Sequence, residues 1–246
     1  RKGTYEYCDE TRCGIIENER LVPVGDLYGR DKEKFFDSTI VDSPKYVNIG
    51  GDKTCNLSCP SCRTEVINND DEQDLKNKTV MSMISEQVFN TSSNEPVSVT
   101  ISSEGEIFAS RHMLNFLEKF PIDRYPKLEL CLQSNGLLIK SKWHKIEHLA
   151  NNINSLSLTI DSQNPKVYEK LRRGGKFEKI LENINFIQEL KEQYGFKYAI
   201  RMVVQKDNMD EIEDFYKFAI SHGADSVEYL RLFWWTRPLT THQDLD

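Results

Sequence analysis

The sequence contains no run of eighteen apolar residues and no signal peptide, so no segment reads as a membrane span or a leader. It is short of positive charge: 32 Lys and Arg face 39 Asp and Glu, a net charge of −7. A phosphate-binding surface wants the opposite balance, so neither nucleic acid nor a membrane is an expected partner. Cysteine is sparse, at six in 246 residues, which is too few for a disulfide framework in a chain of this length. Histidine is also scarce, at five. Zinc sites usually combine two C-x2-C pairs, or cysteines with histidines. Here one short pair exists, and the histidine nearest to it in sequence is His112.

What the sequence does contain is Cys55, Cys59 and Cys62 in the run Thr54-Cys55-Asn56-Leu57-Ser58-Cys59-Pro60-Ser61-Cys62-Arg63, a C-x3-C-x2-C spacing. Pairing among thiols this crowded would be strained. Three thiolates on one short loop can instead face a common point and hold an iron–sulfur cluster. A cubane has four irons, so three protein ligands leave one iron open to a small molecule. Two other readings compete: a cluster used only to carry electrons, and a zinc-stabilised binding module. Thiols and a labile cluster both imply a reducing compartment, hence a cytoplasmic location.

Residues 1–45 lack a clean period and read as a loop-rich lead segment with one short helix near Lys32–Phe36. The chain begins at Arg1, and its first residues read as the interior of a longer protein. From residue 46 onward, short apolar strands alternate with amphipathic helices. Strands are predicted at Tyr46–Ile49, Val97–Ile101, Leu128–Leu132, Leu156–Ile160, Tyr198–Val204 and Val227–Leu232. Helices are predicted at Ser82–Phe89, Arg111–Phe120, Trp143–Ala150, Phe177–Tyr194 and Met209–His222. The polar run Asn68–Thr79 reads as a mobile loop. Such alternation implies parallel strands with crossover helices, and six strands are too few for a closed eight-stranded barrel. The expected fold is α/β, a partial (β/α)6 TIM-like barrel over residues 46–235 with a short tail at 236–246.

In such folds the site gathers at the C-terminal ends of the strands. The cysteine loop follows the first strand, and Ser102-Ser103-Glu104-Gly105-Glu106 the second. Gln133-Ser134-Asn135-Gly136 follows the third, and Asp161-Ser162 the fourth. Gln205-Lys206-Asp207-Asn208 follows the fifth, and Arg231 lies near the end of the sixth. Each cluster alone has an ordinary explanation. Ser-Asn-Gly makes turns, and Asp161 could cap a helix from Asn164 onward. Six of them at one end of one barrel converge on a site.

These residues resemble the radical SAM superfamily, over roughly Lys45 to Trp235. Within it, Thr159-Ile160-Asp161, the run Tyr168 to Phe177, Asn183-Ile184-Asn185-Phe186, and Val203-Val204-Gln205 with Asn208 are similar to the subgroup carrying SPASM-type auxiliary-cluster segments. The resemblance implies a 4Fe–4S cluster on Cys55, Cys59 and Cys62, with S-adenosylmethionine (SAM) on its open iron. Gly105 and Glu106 would match the turn that accepts hydrogen bonds from the methionine amino group. Glu104 and Ile107 stand where the family usually has Gly and often has Pro. Asn135, Thr159 and Asp161 would lie near the ribose or carboxylate. Arg172, with Arg173 as the adjacent alternative, would bind the SAM carboxylate. Ser61 replaces the usual aromatic residue beside the adenine, so Val204 and Gln205 would supply that contact.

The resemblance also implies reductive cleavage of SAM to a 5′-deoxyadenosyl radical that takes a hydrogen atom from the substrate. A reductant such as flavodoxin or ferredoxin would supply the electron. The substrate would be a peptide or protein, with a sugar or other small molecule as the alternative. Cys8 and Cys13 would belong to an auxiliary cluster, or else be two free thiols. Cys131 reads as a small core residue within a strand. Trp234, Trp235 and Arg237 would line the substrate entrance or pack under a further segment.

Overall fold

In a computed structural model the protein is described over residues 45–50, 52–84, 96–102 and 105–232. The lead segment with Cys8 and Cys13, Ser103, Glu104, and the segment with Trp234, Trp235 and Arg237 lie outside those residues. Six parallel strands form one sheet in sequence order: β1 (Tyr46–Ile49), β2 (Val97–Ile101), β3 (Leu128–Ser134), β4 (Ile153–Thr159), β5 (Lys197–Val204) and β6 (Ser226–Arg231). This is the order a chain produces when every crossover goes the same way around, and it gives an open half-barrel. All six predicted strands are present, shifted by a few residues at most. Helices α1 (Asp71–Ile84), α2 (Arg111–Glu118), α3 (Ile139–Lys142), α4 (Pro165–Leu171), α5 (Phe177–Tyr194) and α6 (Ile212–Ser221) fill the crossovers.

Three helical expectations need correction. The predicted loop Asn68–Thr79 is mostly helix α1, and the predicted helix Ser82–Phe89 is its last turn as far as the described residues run. No apolar stripe announces α1; local polar chemistry builds it. The Asp70 side chain accepts from Gln73 N–H at 2.8 Å, acids Asp71, Glu72 and Asp74 occupy the positive end of the helix dipole, and Lys76 pairs with Glu72 one turn back. Trp143–Ala150 is not α-helical: Trp143–Lys145 and Glu147–Asn152 are 3₁₀ turns after the short α3. Helix α4 is the helix from Asn164 onward that the sequence offered with Asp161 as its cap. Asn164 caps it by accepting from Lys166 N–H at 3.0 Å, with Pro165 in the first turn, so Asp161 is not the cap.

Helix α5 runs as predicted and ends at Gly195, whose φ of 76° is the left-handed stop that glycine adopts without strain. Its stripe Ile180, Ile184 and Ile187 is fully buried against Leu156, Leu158, Ile200 and Met202 on the outer face of the sheet. Met113, Leu117 and Phe215 extend the same layer from α2 and α6. Each such side chain contributes about 1.5–3 kcal/mol by leaving water. The core therefore lies between sheet and helices, and it fixes the strand ends that carry the polar clusters.

The inner face of the sheet has different chemistry. Asn48, Thr100, Cys131 and Ser155 lie in register across β1 to β4, with Gln133 and Ser157 one step up and Thr159, Arg201 and Glu228 above them. Strands of parallel sheets buried on both faces read as continuous apolar runs. These strands alternate instead, so the concave face is polar.

Candidate functional site

The cysteine loop is built from its two ends inward. Asp52 is buried, and its carboxylate accepts from Thr54 N–H at 2.9 Å, from Asn69 Nδ2 at 2.9 Å and from the Ser110 hydroxyl at the start of α2. Cys55 N–H donates to Ile67 O at 2.9 Å and closes the loop as an antiparallel bridge. Leu57, 1% exposed, plugs the loop into the core. Ser58 N–H donates to Arg173 O at 3.0 Å, while Arg173 reaches back to Ser58 Oγ at 3.0 Å and Thr64 O at 2.8 Å. Cys62 and Arg63 both donate their N–H to Cys59 O at 2.9 Å. The loop is thus held by backbone bonds that leave the thiols uninvolved.

Each of the three sulfurs instead accepts from a nitrogen. Leu57 N–H lies 3.4 Å from Cys55 Sγ, Arg172 Nη1 3.7 Å from Cys59 Sγ, and Arg63 Nη2 3.4 Å from Cys62 Sγ. Such donors suit sulfur that carries negative charge, as cluster ligands do. Burial pushes the Cys55 thiol above its ordinary range, against the pull of the Leu57 N–H and Arg63. Metal coordination would remove that penalty by taking the proton's place. Among the described residues, no three His, Cys, Asp or Glu side chains converge as they would on a single metal ion. A cubane presents its irons at separate corners, so cluster thiolates need not meet at a single ion.

Gly105, four residues past the end of β2, presses on the loop. A Cβ there would lie 2.1 Å from Thr54 O, so only glycine fits, and Glu106 N–H donates to the same oxygen at 2.7 Å. The Glu106 carboxylate is 1% exposed and takes Ser134 Oγ at 2.8 Å, Phe108 N–H at 3.1 Å and Asn135 N–H at 2.6 Å. Burial raises its pKa, and those donors work in the other direction. Asn135 continues the chain, donating through Nδ2 to Asn56 Oδ1 at 2.9 Å. Gly105, Glu106, Asn135 and the cysteine loop therefore form one connected unit.

A second unit covers the ends of β4 and β5. Asp161 is buried with φ of 69°, the one described non-glycine residue at positive φ. Its Oδ1 accepts from Val203 N–H at 2.8 Å. Its Oδ2 lies 2.9 Å from Arg172 Nε, an ion pair whose N–H is not aligned for a hydrogen bond. Burial opposes the Arg172 charge, but Asp161 and Cys59 outweigh it and hold the guanidinium protonated more firmly than usual. Thr159 stands half-buried on the inner face beside Arg201, which pairs with Glu228 at 2.7 Å. Gln205 Nε2 is buried without a hydrogen-bond partner, the kind of orphan a bound ligand satisfies.

The expected site residues thus fall into two units, joined where Arg172 meets Cys59. Cys131 stands in β3, half-buried, with its sulfur 3.6 Å from Ser98 Oγ. Sequence reasoning gave no role to Arg63, Asn56 or Asp52, and noted Asn208 only as part of a motif. Asn208 is fully buried, donates to Asp161 O at 2.8 Å and Val203 O at 3.0 Å, and accepts from Gln205 N–H at 2.7 Å. Its position after a strand was a usable signal. Nothing in the sequence marks Arg63 as buried.

A half-barrel with a three-thiol loop after its first strand defines a cluster-binding α/β enzyme. Residues 53–219 match the radical SAM superfamily, and the chain belongs to it. It is 26% identical over 199 residues to a GTP 3′,8-cyclase of Alkaliphilus metalliredigens, covering 79% of this chain and 58% of that protein. Among solved structures, SuiB of Streptococcus suis bound to S-adenosylmethionine superposes with a TM-score of 0.55 at 20% identity, covering 84% of this chain and 43% of SuiB. Native anSMEcpe with bound AdoMet gives 0.58 at 18% identity, covering 82% and 56%. The chain spans about half the length of these proteins. Among the described residues no helix is long and apolar enough to cross a membrane.

Proposed function

We propose that this chain reductively cleaves SAM and abstracts a hydrogen atom from a peptide or protein substrate. The observation that carries the reading is the nitrogen donor on each of Cys55, Cys59 and Cys62, in a loop whose backbone is held elsewhere. The cluster and SAM, when bound, supply the electron and the radical chemistry. This chain's residues do the holding. Gly105 and Glu106 shape the turn for the methionine end, and Asn135, Thr159 and Asp161 flank the ribose and carboxylate. Arg172 offers a guanidinium to the carboxylate, and Gln205 offers its unpartnered amide N–H to the adenine side.

The substrate class rests on the inner face. Small hydroxyl and amide side chains line it, and its guanidinium, Arg201, is already neutralised by Glu228. A near-neutral, hydrogen-bonding wall suits peptide amides, and it suits a polyanion poorly. One fold neighbour was solved with AdoMet and a Cp18Cys peptide. The match to a GTP 3′,8-cyclase favours the second reading, a small molecule such as a nucleotide or sugar. A SPASM-type segment using Cys8 and Cys13 would add a second cluster. A cytoplasmic flavodoxin or ferredoxin would supply the electron.

The test is anaerobic reconstitution, then dithionite and SAM, with 5′-deoxyadenosine measured by chromatography. Wild type should be brown and form 5′-deoxyadenosine, and Cys59→Ala should lose both properties. An intact cluster without 5′-deoxyadenosine leaves only an electron carrier, and a colourless protein loaded with zinc leaves a binding module. Iron well above four per chain would mark the auxiliary cluster, and its loss in Cys8→Ala would assign it.

A further inference from the structure

We propose that Arg63 is a positioning residue for the cluster, a buried guanidinium fixed beside Cys62 that makes the cluster easier to reduce. The inference rests on the reading that Cys55, Cys59 and Cys62 hold that cluster. Arg63 is 8% exposed although it follows directly on the loop's last cysteine. Its Nη1 donates to Lys53 O at 2.6 Å, and its Nη2 donates to Cys62 Sγ at 3.4 Å. Its own backbone N–H is tied to Cys59 O at 2.9 Å. The side chain therefore spans the loop from its last cysteine back to the residue before Thr54. It is held at both ends and cannot swing into solvent.

A buried positive charge is costly unless a negative one stands nearby. A thiolate bound to iron carries such charge, and the guanidinium is in hydrogen-bond contact with it. Reduction by one electron from an external donor makes the cluster and its sulfurs more negative. A cation fixed at one ligand favours that more negative state, and hydrogen bonds to cluster sulfurs are a recognised lever on potential. Low local polarity strengthens the effect, because little water remains to screen it. Arg172 approaches Cys59 in a similar way and also pairs with Asp161 at 2.9 Å. The contact to Cys62 is the one a single substitution can remove without touching the Asp161 network.

The experiment compares wild type with Arg63→Met, Arg63→Gln and Arg63→Lys, reconstituted anaerobically without SAM. Iron and sulfide per chain are measured first. The midpoint potential of the loaded fraction is then read by electron paramagnetic resonance at poised potentials. Arg63→Met and Arg63→Gln should lower the reduced-to-oxidised ratio at a fixed potential about tenfold, a shift of ~59 mV to more negative values. Arg63→Lys, which keeps the charge on a shorter reach, should fall between them and wild type. Equal midpoints for wild type and the loaded uncharged variants overturn the proposal. So does a lysine variant shifted as far as methionine, because charge would then not be the cause. If wild type loads and all three variants stay free of iron, Arg63 is a structural clamp and the redox assignment is wrong. A wild type that loads no cluster refutes the underlying ligand reading instead. A loaded wild type that forms no 5′-deoxyadenosine refutes the proposed activity while leaving the comparison of midpoints intact.

Discussion

Replacing Gly105 by alanine adds one carbon at the tightest backbone contact near the cysteine loop. That carbon would sit 2.1 Å from Thr54 O, 2.7 Å from Lys53 C and 2.8 Å from Thr54 C. All three are backbone atoms, so no side-chain rotation relieves the clash and one segment must shift. Overpacking of this kind costs about 1–3 kcal/mol. The shift also stretches the 2.7 Å bond from Glu106 N–H to Thr54 O, and a weakened buried bond costs about 1 kcal/mol more. The sum is roughly 2–4 kcal/mol, and for a chain of this size that lowers the melting temperature by roughly 4–16 °C. Gly195→Ala is the control. Its φ of 76° strains alanine by about 1–2 kcal/mol, but among the described residues no atom beyond its own chain neighbours and helix backbone lies within 4 Å of the new carbon. Both variants should melt lower in apo form by scanning calorimetry. Only Gly105→Ala should also lose iron on reconstitution, because Thr54 directly precedes Cys55. Full iron content and an unchanged melting temperature in Gly105→Ala would refute the claim that this turn sets the loop.

Asn208→Ala removes two donated bonds and one accepted bond from a fully buried side chain, so it should lose about 2–4 kcal/mol by urea denaturation; a loss below about 0.5 kcal/mol would mean the network tolerates its absence. Arg173→Ala unpins Ser58 and Thr64 from an exposed position, so stability should change by no more than about 1 kcal/mol. Iron release to a chelator from the reconstituted protein should nevertheless accelerate severalfold, and an unchanged rate would show that the backbone bonds suffice. Burial lowers the pKa of His112 from its ordinary 6.5, with Asp52 and Asp74 pulling it up and Lys78 pushing it down. The unfolded chain then takes up that proton first, so His112 contributes stability above about 6.5 that is lost as pH falls through its folded value. Between pH 7 and 5, apo wild type should lose more stability than His112→Gln, and parallel curves would assign the acid sensitivity elsewhere.

The strands were legible because a half-buried sheet leaves a period of two that turn residues punctuate, as in Gln133-Ser134-Asn135-Gly136 after β3. Helix α5 was legible for the same kind of reason, with one apolar stripe and a glycine stop. Helix α1 was not, since its stability comes from a cap, the dipole and polar pairs. The site divides along a similar line. Cys55, Cys59 and Cys62 announce themselves by spacing. Arg63 and Asn208 do their work through burial, which depends on what the fold brings over them. A guanidinium next to a cysteine looks like any surface charge until Lys53 O and Cys62 Sγ are found on either side of it.

The two faces of the sheet carry separate burdens, and this explains why the site can be so polar. Ile200 and Met202 point to the helices and are fully buried, while Arg201 between them points to the concave side and meets Glu228. Stability collects on the outer layer, where every residue can be apolar. The inner layer is then free to present hydroxyls, amides and one compensated ion pair without emptying the core. A substitution on the outer face, such as Ile184→Ala, should cost about 2–5 kcal/mol. Thr159→Val or Gln133→Leu, on the inner face, should cost little stability and change what the concave face binds. If the inner face were instead a second core, those apolar replacements would raise stability by removing polar groups from a dry interior. The sign of that change, read by urea denaturation of the apo protein, distinguishes a polar face built for a ligand from a sheet with two ordinary cores.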